Sequence, residues 1–143
     1  MALELPPPVT RRSRAIARLA VALATPLSHL APARLATVLR AARHKAPPAS
    51  RDLAATARDA VVAVSAHCAG QGCLRRSIAA ALYCRLHGAW PTWHVGVRTT
   101  PFRAHAWIEA QGTPVNEPFP PAYYTPILTV PPLTGLPKRG VRG

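Results

Sequence analysis

Acidic residues are scarce in this chain of 143 residues, which has five Asp and Glu against 18 Lys and Arg. The formal net charge of +13 favours an acidic partner, such as nucleic acid, anionic lipid or an acidic polypeptide, and does not choose among them. Hydrophobic residues make up 49% of the chain, which argues against wholesale disorder. The length predicts one domain with a buried core.

Cysteines and uninterrupted apolar runs are also few. Cys68, Cys73 and Cys84 are an odd number, which argues against a disulfide framework and favours a reducing compartment. The stretch "RRSRAIARLAVALATPLSHLAPA" has the outline of a secretory signal, but Arg18 interrupts its apolar run and the Arg pattern recurs further along. No run of 18 apolar residues is free of charge, so no membrane span is predicted. We expect a cytoplasmic protein that does not need a membrane.

The chain lacks Gly-rich phosphate loops and a complete metal-binding pattern. "HCAGQGC" at 67–73 hints at a metal, but the second half of a zinc site, such as another Cys-x-x-Cys, is missing. We therefore predict neither a metal nor a cofactor. No aromatic stacking platform accompanies the arginines, so they are read as a solvated face and nucleic-acid binding is not favoured.

Hydrophobic spacing predicts helices in the first part of the chain and strands in the second. Helices are predicted at 9–24, 33–45, 51–67 and 73–86, and strands at 92–98, 104–110, 113–117 and around 123–130. Ser50 is a candidate N-cap for the third helix. This order predicts an α+β fold, with a Cys-led helix packed on a small antiparallel sheet. The predicted units are a basic helical region (1–49), a core (50–130) and a Pro-rich basic tail (131–143).

Cys73 follows "AGQG" and opens an amphipathic helix. A thiol at a helix N-terminus feels the positive end of the macrodipole and unpaired N–H groups, which favour the thiolate. The alternative is a small buried hydrophobe, since cysteine is among the most buried residue types. Cys84 lies about 16 Å further along the same helix and is predicted to be core, because both cannot serve one site. Cys68 fits either role.

His105 and the residues after "QG" complete the candidate catalytic group. A cysteine peptidase needs an imidazole to share the thiol proton and a third group to orient the ring. A two-residue turn at 111–112 puts Asn116 on the face of His105, whereas a longer turn shifts the register by one residue and exchanges the faces. The residues alone leave both Asn116 and Glu117 open. The remaining histidines, His29, His44, His87 and His94, have no partner that the sequence identifies.

Three stretches of the chain resemble a known family of peptidases. "GCLRRSIAAALYCRLHG", "WHVGVRTTPFRAHAWIEAQGTPVNEP" and the approach "AVVAVSAHCAGQG" together resemble the leader peptidases of lasso peptide biosynthesis. These are transglutaminase-like cysteine peptidases, related to the papain-type architecture. The resemblance covers about residues 50–130, and the helical N-terminal third also suits the stand-alone catalytic half of the split "B" protein. It rests on the spaced elements Cys-Leu-x-Arg-Ser, Gly-Val and His-Ala-Trp.

The resemblance implies Cys73 as nucleophile and His105 as base. The family usually has aspartate twelve residues after the histidine, where this chain has Glu117, so the resemblance favours Glu117 over Asn116. It further implies removal of the leader from a ribosomally made precursor, before a separate ATP-using cyclase closes the macrolactam. The partners it implies are the precursor leader, a small winged-helix protein that presents the leader, and the cyclase.

Two other hypotheses stay open at this point. A transglutaminase or other acyltransferase would use the same three residues, but an amine rather than water would accept the acyl group. A non-catalytic basic protein would bind nucleic acid in a salt-dependent way and would not need Cys73.

Overall fold

In the residues that the structure describes, five helices precede a four-stranded sheet, and this α+β order confirms the predicted fold class. The computed structural model describes residues 9–69, 72–119 and 122–133. The helices are α1 (Arg11–Leu27), α2 (Pro32–Ala42), α3 (Arg51–Val64), α4 (Ala66–Ala69) and α5 (Cys73–Leu86), and the strands are β1 (Thr92–Thr99), β2 (Phe102–Ala110), β3 (Thr113–Pro114) and β4 (Thr125–Val130). Residues 1–8 of the predicted basic helical region and residues 134–143 of the predicted Pro-rich tail lie outside the described residues.

Polar side chains cap two of the helices. The hydroxyl of Thr10 accepts a hydrogen bond from the backbone N–H of Ser13 at the start of α1. Ser50 caps α3 in the same way, as the sequence predicts. The helix predicted over 51–67 is interrupted at Ser65, which adopts an extended conformation and separates α3 from α4. The last predicted turn therefore becomes a short separate helix beside the N-terminus of α5.

Alanines allow α1, α3 and α5 to pack closely. Ala17, Ala20 and Ala24 of α1 are fully buried, and α1 contacts both α3 and α5. The hydroxyls of Ser13 and Tyr83 are 2.6 Å apart and join α1 to α5. The first basic helix is thus part of the core. In α2, Leu35, Ala36 and Leu39 are buried, whereas Val38 is 38% exposed.

The sheet is antiparallel, with the strand order β3-β2-β1-β4. Trp93 and Ile108 face each other across β1 and β2 and belong to the core that the helices cover. The alternate residues form what we call the outer face, on which His94 pairs with Trp107 and Gly96 with His105. The strand β3 pairs only with Glu109 and Ala110, so it does not cover the first part of β2. None of the helices in the described ranges is both long and apolar enough to cross a bilayer.

Candidate functional site

Cys73 lies where α5 begins, next to the part of β2 that β3 leaves uncovered. Gly72, the N-cap, provides no side chain to cap the helix, and the first helical hydrogen bond is the one from the Arg76 N–H to the Gly72 carbonyl. The N–H groups of the first turn and the positive end of the helix dipole therefore lie beside the thiol. The backbone of Ala106 on β2 also hydrogen bonds with the sulfur. Cys73 is half-buried, whereas Cys68 and Cys84 are fully buried.

His105 lies between Cys73 and Glu117 and hydrogen bonds with both. Its Nε2 donates to Oε1 of Glu117 over 2.9 Å. Because Nε2 is used in this way, Nδ1 is the ring nitrogen left for the hydrogen bond with the thiol of Cys73. The two ring nitrogens thus point to the nucleophile and to the carboxylate, which is the arrangement that a thiol–imidazole pair with an orienting acid requires.

The pKa values of Cys73 and His105 are shifted in opposite directions. The hydrogen bond with His105 is the main cause that lowers the pKa of the Cys73 thiol, against the opposing effect of burial. Burial alone would lower the pKa of His105, but hydrogen bonds with Cys73 and Glu117 outweigh it and raise that pKa to about 9. Both shifts favour a thiolate beside an imidazolium.

Glu117, and not Asn116, reaches the histidine. The turn at 111–112 has two residues, because Ala110 pairs with Thr113, and strand alternation would then put Asn116 on the face of His105. The chain leaves the strand before that position. Asn116 has a φ of 52° and is exposed, and this left-handed residue turns Glu117 inward, where its side chain is 3% exposed.

Arg58 of α3 is a partner that the sequence analysis did not find. Its Nε lies 3.5 Å from Oε2 of Glu117, so the two oxygens of this buried carboxylate face a guanidinium and an imidazole. A buried carboxylate is costly unless it is paired and hydrogen bonded. Arg58 appears in the sequence as one of many arginines of a basic helix, and only the packing of α3 on the sheet distinguishes it.

Three aromatic rings surround the imidazole of His105. Tyr124 stacks on it with ring centroids 5.3 Å apart, and Phe119 contacts it edge-on at the same distance. Trp107 lies nearly parallel to it, at 13° and 6.0 Å. Tyr124 and Phe119 come from the segment between β3 and β4. The rings exclude water from the side of the imidazole that they cover, so its hydrogen bonds act in a low-dielectric environment.

Cys84 lies in the core, and two of the other histidines contact groups outside the Cys73–His105–Glu117 series. Burial raises the pKa of Cys84 to about 12, and its core position agrees with the prediction. The sequence identifies no partner for His87 or His94, and the structure shows contacts for both. His87 lies 2.9 Å from the carbonyl of Tyr83 through Nδ1, and His94 contacts Thr129 and Glu109. The contacts of His94 join residues that are far apart in the chain, and the contact of His87 depends on the geometry at the end of α5. Residue spacing predicts neither.

The group of Cys73, His105 and Glu117 can carry out nucleophilic acyl chemistry through a thiol. Within the described part of the chain, no cluster of three or more His, Cys, Asp or Glu side chains could hold a metal ion.

Comparison with known proteins identifies the family. The model of the transglutaminase-like superfamily matches residues 17–129, a range that begins within α1, contains α2 to α5 and β1 to β3, and ends one residue before the end of β4. No curated protein and no solved structure shows a significant match. The matched range contains most of the α+β core together with Cys73, His105 and Glu117. The chain belongs to the transglutaminase-like superfamily.

Proposed function

We propose that this chain is a cysteine peptidase that removes the leader from a ribosomally made lasso peptide precursor. The observation that carries the proposal is the hydrogen-bonded series Cys73–His105–Glu117, with the thiol at a helix N-terminus. The superfamily includes both cysteine peptidases and acyltransferases, and the residues around this series resemble the leader peptidases.

In the first half of the reaction, the Cys73 thiolate attacks the carbonyl carbon of the scissile amide. The tetrahedral intermediate carries a negative oxygen, which the free N–H groups at the start of α5 are suited to stabilise. When the C–N bond breaks, the His105 imidazolium gives its proton to the departing amine, which is the new N-terminus of the core peptide. The leader remains bound to Cys73 as a thioester.

In the second half, His105 is neutral and acts as the base. It takes a proton from water as the water oxygen attacks the thioester carbonyl. The C–S bond then breaks, the leader leaves as a carboxylate, and the thiolate–imidazolium pair forms again. Glu117 keeps the imidazole in the orientation that both proton transfers need and stabilises its charged form, while Arg58 compensates the charge of Glu117.

The proposal includes partners and a place of action. A small winged-helix protein presents the leader, and a separate ATP-using cyclase closes the macrolactam after the cut. The chain has 18 Lys and Arg against five Asp and Glu, and this excess of positive charge fits a leader or partner surface that carries acidic side chains. We place the reaction in the cytoplasm, where a reactive thiol stays reduced.

Acyl transfer to an amine is the second outcome that this site allows, because both reactions pass through the same thioester. The products distinguish them. Hydrolysis adds one water at the cut and leaves a free leader carboxylate, whereas transfer leaves the leader joined to the accepting amine. Mass spectrometry of lasso precursor peptides incubated with the chain and a leader-binding partner separates the two.

The first test needs no substrate. A variant in which Cys68 and Cys84 are replaced by Ser leaves Cys73 as the one thiol, and iodoacetamide alkylation is followed from pH 4 to 10. We expect Cys73 to react well below the ordinary thiol pKa of about 8.5, and His105→Ala to remove this reactivity.

The same variant with Arg85→Ala is the matched control, because Arg85 lies on α5 and hydrogen bonds with the carbonyl of Ala42, away from the thiol. It should leave the alkylation profile unchanged. If Cys73 titrates as an ordinary thiol with and without His105, the peptidase proposal is wrong.

A further inference from the structure

The outer face of the sheet contains a polar network that the reaction described above does not use. It joins three strands: His94 on β1 pairs with Thr129 on β4, and Glu109 on β2 lies diagonal to His94, two residues after its cross-strand partner Trp107. Nε2 of His94 is 3.3 Å from Oε1 of Glu109, and Nδ1 of His94 is 3.0 Å from the hydroxyl of Thr129. The side chains of His94 and Glu109 are 10% and 17% exposed, so desolvation makes this network costly unless its groups are satisfied.

Trp107 connects this network to His105. The indole N–H of Trp107 donates to Oε2 of Glu109 over 2.9 Å, so the two carboxylate oxygens hold the indole and the imidazole of His94. Because Trp107 and His105 are two residues apart on β2, they share the outer face, and their rings are nearly parallel. Trp107 is 1% exposed.

Gly96 shows how closely the indole is fitted. It pairs with His105 across β1 and β2, and a Cβ at this position would lie 2.6 Å from Cη2 and 2.9 Å from Cζ3 of Trp107. The six-membered ring of the indole therefore occupies the space that a side chain at residue 96 would fill. The indole is held at its N–H by Glu109 and is confined at its far edge by the backbone of β1.

We propose that Glu109, supported by His94, is a positioning residue that holds the Trp107 indole against the imidazole of His105. The inference rests on the proposed function, because it concerns the orientation of the same histidine. Glu117 orients His105 directly, by accepting a hydrogen bond from Nε2. Glu109 acts indirectly, because it holds Trp107, which lies beside the imidazole, and it does not contact the reacting atoms. A ring held from two directions can keep Nδ1 aimed at the thiol during both proton transfers.

The test compares two tryptophans, each of which loses one hydrogen bond when it is replaced by Phe. Trp107→Phe removes the N–H that binds Glu109, and Trp90→Phe removes the N–H that donates to the carbonyl of Val130 over 3.0 Å. Both are buried, and both variants should lower the melting temperature. We expect only Trp107→Phe to move the pH profile of Cys73 alkylation upward, by about one pH unit.

Glu109 and Gly96 provide independent variants. Glu109→Gln keeps an oxygen for the Trp107 N–H and should retain the profile, while Glu109→Ala should shift it as Trp107→Phe does. Gly96→Ala should give the same upward shift from the other side of the indole, by displacing its six-membered ring.

The readout separates this inference from the proposed function. If Cys73 reacts at low pH in the unsubstituted chain and Trp107→Phe and Glu109→Ala leave the profile unchanged, the positioning role is wrong and the peptidase proposal stands. An equal shift in Trp90→Phe would also overturn the positioning role, because general loosening of the sheet would then explain both. An ordinary thiol profile in the unsubstituted chain overturns the proposed function itself.

Discussion

The two ends of α5 each carry a cysteine, and their surroundings push the thiol pKa values in opposite directions. At the start of the helix, the hydrogen bond with His105 lowers the pKa of Cys73. Near its other end, burial among apolar groups raises the pKa of Cys84 to about 12. The surroundings therefore favour a reactive thiolate at Cys73, beside the sheet, and an unreactive thiol at Cys84, in the core.

The sharpest test of this comparison is to remove each thiol in turn. Cys73→Ala removes the nucleophile, so cleavage of a lasso precursor peptide, followed by mass spectrometry, should fall by at least about a thousandfold. Cys84→Ala should leave cleavage within about twofold, because no reacting group contacts it. Cleavage that survives in Cys73→Ala would show that Cys73 is not the nucleophile.

The second test asks whether the carboxylate of Glu117 is needed to orient His105. Glu117→Ala leaves His105 without the acceptor of its Nε2–H, and the cleavage rate should fall by about a hundredfold through misorientation of the ring. Asn116→Gly is the matched control, since glycine accepts the positive φ of this position and only the side chain is lost. Equal losses in the two variants would mean that the carboxylate has no special role.

The third test uses pH. In the proposed reaction the His105 imidazolium is the acid for the departing amine, and this form is lost as the pH rises through its pKa of about 9. Above that value the cleavage rate should fall by about tenfold for each pH unit, since the protonated fraction falls in that proportion. At the acid side the rate should fall where Cys73 becomes protonated, at a pH below that of an ordinary thiol. An alkaline limit near the ordinary histidine value would contradict the charged pair.

The smallest expected effect is a change in stability when Cys84 is replaced. Cys84→Ala should reduce the free energy of unfolding by about 1 kcal/mol, because it removes one buried sulfur from the packed core. Cys73→Ala, at the half-buried end, should change it less. Urea unfolding of the two variants, followed by circular dichroism, measures the difference. A larger loss in Cys73→Ala would indicate that the reactive pair also contributes to stability.

Most of the fold follows from local patterns in the sequence. The change from helical to alternating spacing predicts the order of the elements, and Ser50 marks the start of α3 because its hydroxyl can cap the helix. The break at Ser65 is missed because nothing in the local residue pattern opposes a continued helix. Cys73 and His105 are found because their chemistry requires a particular residue type.

The contacts that support the site could not be predicted in the same way. Arg58 binds Glu117 only because α3 packs beside the sheet, and His94 meets Thr129 only through the pairing of β1 with β4. That pairing shifts between Val95 and Gly96, so counting residues along the strands does not predict it. Such partners depend on the relative placement of elements far apart in the chain.

The left-handed backbone of Asn116 has a consequence for how this site can change. Because the turn of one residue brings Glu117 to His105, the orienting group is selected by a backbone torsion at its neighbour. A β-branched residue at position 116 would oppose that torsion and could withdraw the carboxylate while leaving every reacting atom in the chain as it was. The site can therefore be lost by a change at an exposed side chain that takes no part in the reaction.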